Sequence, residues 1–400
     1  MKSQIVNINN IASVKGGKRL PKGHEFITTA IKHPYIRARD IGNGNIEAKE
    51  PVYIADSTFQ KIRQYTVKNK DIVITIVGVN IGDVGIVTEI LDGANLTENA
   101  AKISTNINVC NPNFLLCQLA TPRNKFKFQQ IAAGAAQGKL GLFKIKDFKI
   151  LLPPINAQKN IADIYFTYTN LINTNRRRIQ LLEEAARLLF REWFVYFRFP
   201  GHEKVKIVGG VPEEWKKEKI NRLVTFKRGV EPGSDNYLET YESGSFPFFR
   251  VSDLMTRNPS IFVDEQYAKS ALLKKSDIVI SLDGSVGIVS MGLEGCYSTG
   301  IRKLIIKDKK INRSYLYFLM KSHYIQGAIN AYAKGTTIQH AGEAIKHMNS
   351  ILPPQNLMDL FDRIANPALN EILILLDQNQ KLAQARDLLL PRLMSGEIEV

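Results

Sequence analysis

The chain has 400 residues, 44% hydrophobic and 23% charged, which is enough to bury sizeable cores and more than one small domain needs. No run of eighteen apolar residues occurs, and the opening MKSQIVNINNIASVKGG lacks the apolar stretch of a signal peptide. The net charge of +16 favours a polyanionic partner, nucleic acid first, while three irregularly spaced cysteines (Cys110, Cys117, Cys296) argue against a disulfide framework or zinc site and suit a reducing cytoplasm.

Taken along the chain, the elements come twice. IASVKGG at 11–17 returns as LVTFKRG at 223–229, and PYIRARD at 34–40 as PFFRVSD at 247–253. DIVI at 71–74 returns at 277–280, GDVGIV at 82–87 as GSVGIV at 284–289, and Pro153-Pro154 as Pro353-Pro354. The offsets are 212, 213, 206, 202 and 200 residues, always in the same order, so the chain reads as an internal duplication. DIVITIVG and DIVISLDG are β-branched runs ending at glycine, which predicts strand then turn, and a more helical stretch follows, such as 312–333.

After Pro154 apolar residues recur at steps of three and four: Ile161, Ile164, Tyr168, Leu171, Ile172, Ile179, Leu182, Ala186, Leu189 and Trp193. This predicts a long amphipathic helix near coiled-coil spacing, with Asn175 and Arg178 interrupting its seam. The second series runs Leu357, Leu360, Ile364, Ile372, Leu375, Leu376, Leu382, Leu389 and Leu393. Proline tolerates a helix start, so each Pro-Pro should mark one, and Pro367 should kink or delay the second helix. The expected fold is α+β: two β-rich heads with pseudo-two-fold symmetry, separated by two long antiparallel coiled-coil-like helices. The domain bounds would be 1–152, 153–199 (first spacer helix), 200–212 (linker), 213–352 and 353–400 (second spacer helix).

These residues carry a resemblance. The repeated LPP before a long helix, LLEEAARLLFREWF at 181–194, VPEEW at 211–215 and ARDLLLPRLMSGEIEV at 385–400 resemble the specificity (S) subunits of type I restriction–modification systems. The resemblance covers essentially the whole chain. It implies a non-catalytic subunit whose two target recognition domains each read one half of a gapped double-stranded DNA site. It further implies docking of two methyltransferase (M) subunits and, through them, restriction (R) subunits. Cofactors would then lie outside this chain, S-adenosylmethionine in the M subunits and ATP with Mg in the R subunits. The place would be the cytoplasm, with no membrane involved. The family usually has Glu-Gln soon after the Pro-Pro; here 157–158 are Ala-Gln and 357–358 are Leu-Met, so the second copy departs from the pattern.

Other classes were weighed on their own motifs. NPNF at 111–114 is similar to the NPPF of adenine methyltransferases, but it lacks the second proline and a glycine-rich cofactor loop. Asp40, Glu47 and Lys49 spell a loose nuclease pattern that the second copy does not repeat, and no P-loop occurs. The alternatives are a self-contained DNA methyltransferase or nuclease, or a coiled-coil DNA-binding assembly protein that reads no sequence.

Candidate DNA contacts are basic or polar residues on loops. In the first head they are Lys15, Lys18, Arg19 and Lys22, then Arg37 and Arg39, then Asn80 with Gln137 and Lys139. In the second they are Lys227, Arg228, Arg250, Asp283, Ser285, Arg302, Lys303, Lys334, Thr336 and Gln339. Arg37 and Arg250 have a structural alternative, pairing with Asp40 and Asp253 three residues on. Heads that read different sequences should share a scaffold and differ at the tips, which makes Asn80 against Ser285 the better specificity pair.

Overall fold

A computed structural model describes residues 3–133, 138–335 and 339–400. The chain forms two compact units, Met1–Leu171 with Leu382–Val400, and Ile172–Lys381. Each holds one head and a segment of each long helix.

The first head is a four-stranded antiparallel sheet in the order Ala12–Gly16, Ala100–Thr105, Ile72–Thr75, Val84–Ile86. The second repeats it with Val224–Arg228, Ile301–Ile306, Ile278–Ser281 and Val289–Ser290. Each head also has a second sheet with a parallel pair inside it, Pro34–Ile36 with Asn95–Leu96 and Ser245–Phe249 with Gly295–Tyr297. The DIVI runs explain themselves here. All four residues of Ile72–Thr75, and of Ile278–Ser281, are buried, so both faces of the strand must be short-chained and mostly apolar.

The aspartate opening each run has a separate task. Asp71 accepts the Lys68 N–H at 2.9 Å and lies 3.9 Å from the Lys102 ammonium, which also donates to the Thr66 carbonyl. Asp277 accepts the Lys274 N–H at 2.8 Å and pairs with Lys303 at 2.6 Å, and Lys303 donates to the Leu272 carbonyl. The same lysine–aspartate clamp thus closes both heads. Burial pushes the Lys102 ammonium below its ordinary pKa, against the pull of Asp71.

Gly17 and Gly229, matched in the repeat, are close-approach positions. A Cβ on Gly17 would lie 2.1 Å from the Thr97 carbonyl oxygen, and one on Gly229 would lie 2.2 Å from that of Tyr297. Backbone is what it would meet, so no rotamer change relieves the clash.

Each head is closed by pairing its first strand with its last, Gln4–Asn7 with Lys149–Leu152 and Lys216–Lys219 with Asn349–Leu352. The last strand runs straight into the Pro-Pro. Pro154 offers its carbonyl to the Gln158 N–H at 3.0 Å, and Pro354 does the same for Met358 at 3.2 Å, which starts each long helix. The helices span Ile155–Phe194 and Gln355–Ser395, roughly 60 Å each at about 1.5 Å per residue.

The second helix starts at Gln355 and continues through Pro367, so the expected delay does not occur. One missing N–H is a local loss, and buried Ala365 and Leu369 on either side hold the turn against the core. Not every seam residue is buried either: Leu171 and Ile364 are about half exposed, whereas Tyr165, Phe190 and Phe194 are buried. The stripe drifts because a straight helix repeats at 3.6 rather than 3.5 residues.

In the second unit the helix segments run antiparallel. Phe190, Trp193 and Phe194 pack on Phe361, while Asn175 lies beside Gln378 and Arg178 donates to Glu371 at 2.8 Å. Asn175 is buried, and its amide faces the Gln378 side chain at 3.4 Å, so the polar break in the seam meets a polar mate. Trp215 of VPEEW stacks against Phe194, Phe197 and Phe199 and completes this aromatic core. In the first unit, at the positions 200 residues away, Ile161 shares a core with Leu390, Leu393 and Met394.

The head of the second unit is also bolted to its helices by polar contacts. Glu183 accepts from Tyr317 at 2.8 Å and from Lys321, Asp362 accepts from Ser314 at 2.6 Å, and Asp377 accepts from Lys275 at 2.5 Å. Hydrogen bonds from Lys275 and Lys381 hold the Asp377 carboxyl down at about 2.

Replacing Gly229 with alanine should lower stability by about 1–3 kcal/mol or more, and Gly17→Ala likewise. Denaturant melts of the full chain read this directly; an unchanged midpoint would contradict the close approach.

Candidate nucleic-acid interface

Each DIVI strand runs into a loop that pairs with a later segment. In the second head, Asp283–Gly284 forms a two-stranded ribbon with Gln339–His340. In the first, Val77 bridges Lys139. The flanking bonds correspond: Leu140 N–H to the Ile76 carbonyl, and Ala341 N–H to the Leu282 carbonyl. Val77 therefore matches Asp283, and Lys139 matches His340.

This geometry gathers candidates that are distant in sequence. Asn80 is exposed on the loop that Lys139 flanks, with Val79 almost fully exposed beside it. Gln137 lies outside the described residues. In the second head Ser285, Lys334 and Gln339 are exposed around the ribbon, while Thr336 lies outside the described residues. The loop is firmly built: Ser281 Oγ donates to the Ser285 carbonyl at 2.6 Å and accepts from the Ile288 N–H at 2.9 Å.

Strand pairing adds the basic residues. Lys227 and Arg228 lie opposite Lys303 and Arg302. Lys227 and Arg228 are exposed, and Arg228 Nε and the Arg302 guanidinium both donate to the Thr299 carbonyl. Arg302 itself is buried to 11% exposure and pairs with Asp283 at 3.2 Å; burial pushes its pKa down, against the pull of that carboxylate. Lys303 belongs to the clamp with Asp277. In the first head Lys15, Lys18 and Lys22 are exposed, and Arg19 is exposed while bonded to Glu98 at 2.7 Å. Lys18 also anchors its loop, through its N–H to Leu96 and its carbonyl to the Tyr35 hydroxyl.

Arg37 is a structural anchor in this geometry, whereas Arg250 repeats its backbone bond but not its side-chain bonds. Arg37 holds Asp40 through two side-chain bonds at 2.9 Å, and its guanidinium reaches the Glu50 carbonyl at 2.6 Å. Arg250 binds Asp253 through its backbone N–H at 2.8 Å, with the guanidinium 3.7 Å away. Arg39 lies 3.7 Å from Glu50 with its side chain 63% exposed. Two residues that carry the arrangement were not singled out from sequence: His340 and Lys102. Identical aspartates in the two DIVI runs hinted at Lys102, because each needs a cation.

Gln158 is buried, donates to the carbonyls of Val109 and Pro153, and accepts the Asn111 N–H at 2.8 Å. The glutamine of the junction is thus an internal tie between head and helix. Buried Met358 replaces it in the second copy, where Asn312 instead donates to the Met358 carbonyl at 3.2 Å. NPNF is a helix cap: Asn111 accepts the N–H of Asn113 and Phe114, and Phe114 is fully buried, unable to stack on a base. Asp40 of the nuclease-like spacing is committed to Arg37. Among the described residues no group of His, Cys, Asp and Glu could hold a metal, and no helix is long and apolar enough to cross a membrane.

Two heads on one framework, each followed by a long helix, define a class of duplicated recognition subunits. The family model for the type I restriction modification DNA specificity domain matches residues 2–184 and again 212–357. The chain belongs to that family. It is 24% identical to the type I restriction enzyme MjaVIII specificity subunit of Methanocaldococcus jannaschii, over 80% of each chain. It is 22% identical to the HindI specificity subunit of Haemophilus influenzae, over 77% of this chain and 82% of that one. In fold it is similar to the crystal structure of a type I restriction–modification S subunit from M. genitalium, with a TM-score of 0.59, 16% identity, and 98% and 96% of the two chains covered.

Arg37→Ala strips a buried carboxylate of its partner and should cost about 3–5 kcal/mol. Lys22→Ala should leave the melt unchanged. Thermal unfolding of the two variants separates an anchor from a surface cation; equal effects would contradict the distinction.

Proposed function

We propose that this chain is the sequence-reading, non-catalytic subunit of a type I restriction–modification complex. Each head reads one half of a gapped site on double-stranded DNA. Two M subunits dock on the chain, and R subunits join through them. S-adenosylmethionine, ATP and Mg belong to those partners, and the complex works in the cytoplasm.

The observation that supports this best is the contrast between framework and tip. The lysine–aspartate clamp, the close-approach glycine and the pairing of the loop after the DIVI strand with a later segment recur in both heads, yet the corresponding positions differ: Val77 against Asp283, Asn80 against Ser285, Lys139 against His340. A shared scaffold with divergent tips is what two reading heads with different targets need. Exposed lysines around the tips supply phosphate contacts, which position without specifying.

Purification of the full chain with an M subunit, followed by binding to the mapped methylation site, tests the reading. Specific DNA should bind at least about 1,000-fold more tightly than unrelated DNA at equal salt. Binding that ignores sequence but falls by about 0.9 log units per phosphate neutralised, as salt rises tenfold, would make the chain an assembly protein. Binding of S-adenosylmethionine by the chain alone would make it an enzyme.

A further inference from the structure

A line of side chains in the second head runs from the buried sheet to the exposed ribbon. Arg302 donates to the carbonyls of Thr299 and Ile301 and to one oxygen of Asp283. The other Asp283 oxygen meets His340 Nδ1 at 2.8 Å. The His340 backbone is held as well, its N–H to Lys334 at 2.8 Å and its carbonyl from the Lys334 N–H at 3.1 Å. A carboxylate can only accept, so Nδ1 carries a proton and Nε2 is the ring nitrogen left for a ligand. The side chain is nevertheless 65% exposed.

An exposed imidazole paired in this way adds little to stability. Orientation before contact lowers the entropy that binding must overcome. The same ribbon and its loop carry exposed Gln339 and Ser285, and both side-chain types bond base edges. The first head has no such line. Ala101 takes the register position of Arg302, Val77 that of Asp283, and Lys139 that of His340, which leaves an unaimed cation suited to phosphate.

We propose that His340 bonds a base edge in the half-site read by the second head, and that Asp283, fixed by Arg302, is the positioning residue that aims it. This rests on the specificity-subunit reading.

The test uses the full chain in complex with its M subunit, its mapped site, and a panel of single base-pair substitutions in both half-sites. In the wild type a substitution at the contacted pair should weaken binding roughly 5- to 150-fold. In His340→Ala that penalty should fall to near onefold at one pair of the second half-site, with the first half-site and the salt slope unchanged. Asp283→Ala should lose the same preference at the same pair, and Asp283→Asn, whose single amide oxygen can accept Nδ1–H only by giving up the bond from Arg302, should restore it in part. If Asp283→Ala fails to fold, His340→Ala still decides, because its side chain is exposed. Lys139→Ala should weaken all sequences alike and reduce the salt slope by about 0.9. The inference is overturned if His340→Ala leaves every penalty intact or weakens all sequences equally. A wild-type complex with no base preference anywhere would instead sink the specificity reading itself.

Discussion

The structure depends on one handover, from strand to helix. The last strand of each head pairs with its first and so closes the head, then enters a Pro-Pro whose second carbonyl accepts the first helical N–H. Proline forces the extended strand to end and tolerates the helix that follows. The head thereby passes directly into a helix of some forty residues, and a core of helix and head side chains forms around the joint in each unit. Both copies solve the joint differently in detail, with a buried glutamine network in one and a buried methionine with a large aromatic cluster in the other. A duplicated chain is free to diverge in this way so long as the register of strand and helix is kept.

Within each head, charge is divided between two tasks. Lys102, Lys303, Arg37 and Arg302 are buried against carboxylates, where an unpaired partner would be costly. Lys15, Lys22, Lys227 and Lys334 stay in solvent, where they cost little and reach phosphate. The high net charge is therefore not one property of the surface. Part of it holds the heads together, and only the remainder is available to a polyanion.

Much of this was legible in the sequence. The paired blocks located equivalent strands, because buried β-branched runs tolerate little change, and the Pro-Pro located both helix starts. The continuation through Pro367 was not legible, since packing overrode a local propensity. Nor could residue type alone separate Arg302 and Lys303 from Arg228 and Lys227: directly opposed on paired strands they share faces, but the first two sit on an inner strand within reach of Asp283 and Asp277 and the other two on the edge strand. His340 was invisible because a ribbon that joins residues 57 apart sets its role. Gln158 was visible, but its burial was not, so a residue of the family pattern proved to be a tie within the chain.

The central claim is that the two heads read separately. Exchange residues 1–150 for the corresponding head of another family member, assemble the hybrid with its M subunit, and sequence the methylated sites. The expected result is a gapped site in which one half changes with the donor and the other is kept. A continuous site, or one that the exchange leaves unaltered, would contradict it.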